Sequence, residues 1–159
     1  MTLRRATTDD LQLIVDAIGT PQDLLLWAGP RHEWPLSVQQ LAADLAQMDA
    51  TGTCLSWMVV EGDGGGSVGY VELTVSAAVA VGHVSRVLVL PHARGRGLGR
   101  ALMRAVIDAA ANRGLRTVTL NVHHTNAVAR ALYEQLGFTY VDRGSLGETR
   151  RMHRRLTAP

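Results

Sequence analysis

No lysine occurs anywhere in the chain; all 16 basic residues are arginine, set against 14 acidic ones. A Walker phosphate loop, which closes on Gly-Lys-Ser or Gly-Lys-Thr, is therefore excluded. Cysteine occurs once, as Cys54, so no intramolecular disulfide framework can form, and a free, buried thiol is expected. No apolar run is long enough to span a bilayer and no secretory signal pattern is present, which predicts a cytoplasmic protein without a membrane partner. The formal net charge of +2 is too small an excess to imply nucleic acid as a partner. Arg150, Arg151, Arg154 and Arg155 read instead as a solvated edge strand and its flank. Internal repeats, linkers and low-complexity stretches are missing too. A 159-residue chain that is 47% hydrophobic is expected to fold as one domain, residues 1–159.

What is present is organised around one stretch. Val87 to Leu90 are apolar at every position, as in a strand covered on both faces, and Pro91 ends its ladder. Leu98, Ala101, Leu102, Ala105, Val106 and Ala109 then follow at helical spacing, so a helix starts near Gly97. The first turn of that helix has backbone N–H groups without intrahelical partners, and its dipole puts partial positive charge there. Gly95, Gly97 and Gly99 allow close approach, and Arg94, Arg96 and Arg100 add charge; a pyrophosphate-sized anion fits such a turn. The dinucleotide fingerprint Gly-x-Gly-x-x-Gly fails here, because its third position, counted from Gly95 and Gly97, is Arg100. A glycine-rich helix entry packed closely on a sheet, binding nothing, satisfies the same spacing.

Arg94-x-x-Gly97-x-Gly99 resembles the acyl-CoA signature of the GNAT N-acetyltransferases, Arg/Gln-x-x-Gly-x-Gly/Ala. Asn126-Ala127-Val128-Ala129-Arg130-Ala131-Leu132-Tyr133-Glu134-Gln135-Leu136-Gly137-Phe138 is similar to the second half of that family's cofactor site, Asn-x-x-Ala-x-x-Leu-Tyr-x-x-Leu-Gly-Phe. Asn126 is also simply a good N-cap, Gly137 a good C-cap, and Tyr133 an ordinary core aromatic by its spacing. Capping and packing do not account for both motifs in the right order, one helix and one strand apart. The resemblance is close from Val84 to Phe138 and loose elsewhere.

The resemblance implies an α/β (α+β) GNAT fold: a mixed, mostly antiparallel twisted sheet of six to seven strands, a central parallel pair that splays, and about four flanking helices. The periodicity agrees. Leu3 to Ala6 reads as a strand, followed by a helix from a Thr7, Thr8 or Asp9 cap to Ile18, a short helical piece from Pro21, and a helix from Ser37 to about Met48. Cys54–Val60, Val68–Val75 and His83–Leu90 read as a meander, its first turn at Gly62 to Gly66. Thr117 to His123 follows the cofactor helix, so Val87–Leu90 and Thr117–His123 are expected to be parallel neighbours. Thr139–Val141 and Thr149–Leu156 close the sheet, the latter at an edge.

The implied activity is transfer of an acetyl group from acetyl-CoA to a primary amine of a small molecule or peptide by direct attack. The cofactor-binding set is Leu88, Val89, Arg94, Gly95, Arg96, Gly97, Leu98, Gly99, Arg100, Asn126, Arg130 and Tyr133, with Arg130 equally readable as merely exposed. A free N–H near Leu88 and Val89 would hold the developing oxyanion. Tyr133 stands where the family places the acid that receives the leaving thiolate. Protein N-terminal acetyltransferases of this fold often carry glutamate where this chain has Asn121, so the base must lie elsewhere. Glu72 and His123 rank first, then His83, with ordered water as a competitor. Trp27, Glu33 and Trp34 either wall the acceptor pocket or staple the core under a loop. No metal is expected, and exposed apolar edges permit a homodimer. The alternatives are a non-catalytic acyl-CoA-binding regulatory module and a nucleotide-phosphate binder using the same helix start.

Overall fold

In the computed structural model, which describes residues 1–62, 65–141 and 147–157, the β-branched runs of the sequence form seven strands of one sheet. These are β1 (Thr2–Arg5), β2 (Cys54–Val60), β3 (Ser67–Ser76), β4 (Val81–Val89), β5 (Thr117–His123), β6 (Thr139–Tyr140) and β7 (Thr149–Arg155). Their order is β1-β2-β3-β4-β5-β7-β6, and every neighbouring pair is antiparallel except β4 and β5. The helices are α1 (Leu11–Ala17), α2 (Pro21–Ala28), α3 (Val38–Thr51), α4 (Leu98–Ala111) and α5 (Ala127–Gln135), one more than expected. Residues 63 and 64 of the expected Gly62–Gly66 turn lie outside the described residues.

The local signals act as their chemistry requires. Ser37 accepts the Gln40 N–H at the start of α3, Thr20 accepts that of Asp23 ahead of Pro21, and Gly52 closes α3 in the left-handed region. Leu102, Met103, Val106, Ile107 and Ala110 form the buried stripe of α4. They pack with Val71, Leu73, Val84, Val118, Leu120 and Val122 on one face of the sheet. Leu11, Ile14, Leu24 and Leu41, from α1, α2 and α3, cover the other face over Met58, Tyr70, Leu88 and Leu90.

Val84 therefore belongs to one face and Leu88 to the other, although strict alternation would put both on the same side. The register explains the switch: Tyr70 pairs with Leu88 and Glu72 with Ser85, so β4 takes three steps where β3 takes two. The extra residue is a β-bulge, and Arg86 within it has φ of 48°. β4 consequently turns away from β5. Parallel pairing covers only Val81–Val84 against Thr117–Leu120. The expected pairing of Val87–Leu90 with β5 is thus corrected, since the bulge ends it.

The expected edge position of β7 is also corrected. β7 lies between β5, which it pairs along all seven residues, and the two-residue β6, which forms the edge. Met152 at its centre is 0% exposed, a burial that a rim strand would not give it. Two of its arginines have structural partners: Arg154 Nη1 donates to Leu136 O at the C-terminal end of α5, at 2.8 Å, and Arg151 Nε donates to Asn121 Oδ1 at 3.2 Å.

Candidate active site

The strand–turn–helix segment carries two strained-looking positions that only glycine occupies without cost: Gly95 at φ 75° and Gly97, the N-cap of α4, at φ 73°. Arg94 N–H closes back on Pro91 O and Arg100 N–H on Gly97 O, and the amides between them, Gly95 to Gly99, have no backbone acceptor among the described residues and lie at the positive end of a 14-residue helix. Gly99 differs: a Cβ there would meet Leu132 Cδ2 at 3.4 Å and Val89 Cγ2 at 3.6 Å, ordinary van der Waals contacts, so the position has room for alanine.

A cleft of about 780 Å³ extends from these amides along β4 to α5. Val87, Leu88, Val89, Arg94, Gly95, Gly97, Leu98, Gly99 and Arg100 line it on one side, Asn126, Ala129 and Tyr133 on the other. Leu90 N–H donates to Val68 O, and alternation along an antiparallel ladder then directs the Val89 N–H and C=O away from β3, toward the splay. Arg94 Nε donates to that carbonyl at 3.1 Å. Of the two residues expected to offer an amide, Val89 has the correct orientation.

A smaller cavity of about 90 Å³ meets the cleft from the α2 side and shares Val87, Asn126, Ala129 and Tyr133 with it. Trp27, Ser85, Arg86, Asn121 and His123 complete its wall. Tyr133 therefore stands at the junction. Burial pushes its phenol up to about 12, and no hydrogen bond to its hydroxyl is found among the described residues. Asn126 caps α5 by accepting the Ala129 N–H at 3.1 Å.

Several expected residues lie elsewhere. Arg96 turns outward to Glu61, at 2.8 and 2.9 Å, and Arg130 donates to Tyr140 Oη and His124 O; neither lines the cleft. Glu33 and Trp34 line neither cavity; the Glu33 N–H binds Gln40 Oε1 and Trp34 is 45% exposed. His83 Nδ1 sits 2.9 Å from Thr119 Oγ1, away from both cavities, and burial lowers its pKa. His123 is at the cavity wall, but its Nδ1 lies 2.7 Å from Thr125 Oγ1 and takes the Thr125 N–H, while Nε2 faces Glu148 at 3.1 Å. His123, His124 and Glu148 bring donor atoms within 4.8 Å of one another. The two rings stack, with centroids 4.8 Å apart and planes at 27°.

Glu72 is 1% exposed and belongs to a buried charged cluster. Tyr70 Oη donates to its Oε1 at 2.7 Å; Ser85 Oγ and Arg86 Nε reach Oε2, each at 3.3 Å. Arg86 Nη2 lies 2.6 Å from Asp44 Oδ2, His32 Nε2 lies 3.1 Å from the same oxygen, and the guanidinium sits 5.8 Å from the Trp27 ring centre. Burial raises the Glu72 pKa against the opposing pull of Arg86, and lowers that of His32. Sequence reasoning had missed Asp44, His32, Ser85 and Arg86. Two signals were available: Asp44 falls on the buried Leu41–Leu45–Met48 stripe of α3, and Arg86 interrupts an otherwise apolar strand end.

A profile of the acetyltransferase (GNAT) family matches residues 22–138. The mycothiol acetyltransferase of Beutenbergia cavernae is 44% identical over 87 residues, 55% of this chain and 29% of that protein. The ribosomal protein bS18-alanine N-acetyltransferase of Escherichia coli is 48% identical over 52 residues, 33% of this chain and 35% of that one. The matched segments thus span about a third or less of these relatives' lengths. The spermidine N-acetyltransferase of Vibrio cholerae, solved with CoA and spermine, superposes with a TM-score of 0.80 at 21% identity, covering 97% of this chain and 94% of that one.

Proposed function

The chain belongs to the acetyltransferase (GNAT) family, and from that premise we propose that it is an acyl-CoA-dependent N-acetyltransferase that moves an acetyl group from acetyl-CoA to a primary amine. The observation that carries the reading is that the two cavities adjoin beside the β4/β5 splay, with Tyr133 in the wall of both. The Gly95–Gly99 amides, Arg94 and Arg100 would hold the diphosphate of CoA. The cleft along Val87–Val89 would then take the pantetheine arm, and the Val89 N–H would meet the thioester oxygen as it becomes an oxyanion.

The amine attacks from the Trp27–Asn121 side. Tyr133, still protonated at neutral pH because its pKa is pushed up to about 12, donates a hydrogen bond to the departing sulfur. A phenol that much weaker than a thiol of pKa about 8.5 stabilises the thiolate and does not hand over its proton outright. Among the described residues the acceptor cavity has no carboxylate in its lining, so these offer no counter-charge to a polycation such as spermidine. It suits a monoamine on a small molecule or peptide.

The test is release of free thiol from acetyl-CoA against a panel of amines. Release with a monoamine supports the proposal. CoA binding without release for any amine favours a regulatory module. Thermal protection by ATP and not by CoA favours a nucleotide-phosphate site.

A further inference from the structure

An ammonium must lose a proton before its nitrogen can attack, and among the described residues the acceptor cavity has no free base on its wall. Asn121 has no basic lone pair, and both ring nitrogens of His123 are engaged by Thr125 and Glu148. Glu72 has the chemistry but is sealed, and it does not line the cavity. Ser85 joins the two. It lies on the cavity wall, pairs with Glu72 across the β3–β4 ladder, and donates its hydroxyl to Glu72 Oε2 at 3.3 Å. Resting on the acyl-transfer reading, we propose that Ser85 Oγ relays the acceptor amine's proton to Glu72, the buried proton acceptor of this enzyme.

The charge balance around Glu72 favours such a role. Two carboxylates, Glu72 and Asp44, share the single buried guanidinium of Arg86. His32, desolvated and depressed in pKa, does not make up the difference; Arg31 stands 3.9 Å from Asp44 on an exposed side chain. The remaining groups facing Glu72 are the Tyr70 hydroxyl, held in its protonated form by burial and by Glu72 itself, and the Cys54 thiol, also pushed up by burial. One buried negative charge is left over, and a proton on Glu72 discharges it.

The step balances. The ammonium gives one proton to Ser85 Oγ as the hydroxyl proton passes to Glu72. The N–C bond then forms, the C–S bond breaks, and a second proton from the nitrogen ends on the sulfur. Glu72 then returns its proton through Ser85 Oγ to solvent in the emptied cavity before the next turnover.

The experiment compares Ser85→Ala, Ser85→Thr and Glu72→Gln with the native protein in thiol release across pH, with acetyl-CoA affinity and melting temperature read in parallel. Expected are a fall in kcat of on the order of a hundredfold and loss of the acidic limb in Ser85→Ala, an unchanged KM for acetyl-CoA, and recovery of limb and rate in Ser85→Thr. Glu72→Gln should lose the same limb. If Glu72→Gln melts too early to assay, the alanine and threonine pair decides alone. Ser85→Ala with native rate and limb overturns the relay and leaves acyl transfer standing. Absence of thiol release from the native protein with every amine, while CoA still binds, overturns acyl transfer and the relay together.

Discussion

Tyr133→Phe removes one oxygen from the junction of the two cavities and leaves the ring packed 5.9 Å from Phe138. Turnover should fall by on the order of tenfold or more while CoA affinity stays within about twofold, as a loss confined to the transition state requires. Because the phenol titrates only near 12, no descending alkaline limb should appear below about pH 11; one at pH 9 would belong to another group. Gly97→Asp places a carboxylate beside the amides that would grip a diphosphate, at a φ of 73°. Calorimetry should find CoA binding lost with the far-ultraviolet spectrum retained, and undiminished affinity would refute the cradle. The glycine turn and the Asn126 cap that line the cleft were legible in the sequence because each needs only a local property: a left-handed φ or a capping side chain. Glu33 and Trp34 misled because an aromatic or acid in an irregular loop says nothing about where the loop folds. The Glu72–Arg86–Asp44–His32 cluster stayed hidden as a cluster for the opposite reason, since its members come from β3, β4, α3 and the segment before α3.

Among the elements, the N-terminal helix entry shows how one side chain joins several. Asp10 accepts two hydrogen bonds from Arg4 on β1, at 2.7 and 2.9 Å, and also the Thr7 N–H and hydroxyl, tying strand to helix. The Arg4 hydrogen bonds hold its carboxyl below the usual range. A depressed pKa stabilises the fold above the unfolded value and loses that contribution as pH falls through the folded one. Asp10→Asn should therefore cost about 1–2 kcal/mol at pH 7, a drop in Tm of about 2–8 °C, and the gap should close as the pH is lowered through the carboxylate range. A gap that persists at pH 2 would place the effect in packing. Strand and helix positions were readable because hydrophobic period and caps are local, and the observed bounds of β2 coincide with the expected ones. The bulge was not readable. Ser85-Arg86 break the apolar pattern of Val81 to Leu90, but only the pairing with β3 shows that one residue is in excess. The placement of β7 escaped for a related reason: its arginines suggested a rim, whereas the free ladder of β5 and the buried Met152 required an interior strand.

In the whole molecule, the two halves of the cleft are β4 with the start of α4 on one side and the body of α5 on the other, joined where Arg100 donates to Gln135 Oε1. A ligand bridging them should stabilise the fold by mass action, by about 2.7 kcal/mol at a hundredfold excess over Kd, and the melting temperature should rise with CoA concentration but not with ATP. No rise with CoA would mean that the cleft does not hold it. Family and fold could be inferred before any coordinates because two motifs fix both walls of the cleft; the acceptor side could not, since it is assembled from α2, β4 and β5 at once. The excess residue of β4 makes the sheet behave like a zipper with one tooth too many. Deleting a single residue at Ser85 or Arg86 would put the teeth back in step with β3, keep Leu88 opposite Tyr70, and remove the bulge at which pairing with β5 ends. A change that small should favour a closed sheet, so the opening beside Tyr133 rests on chain length at one point.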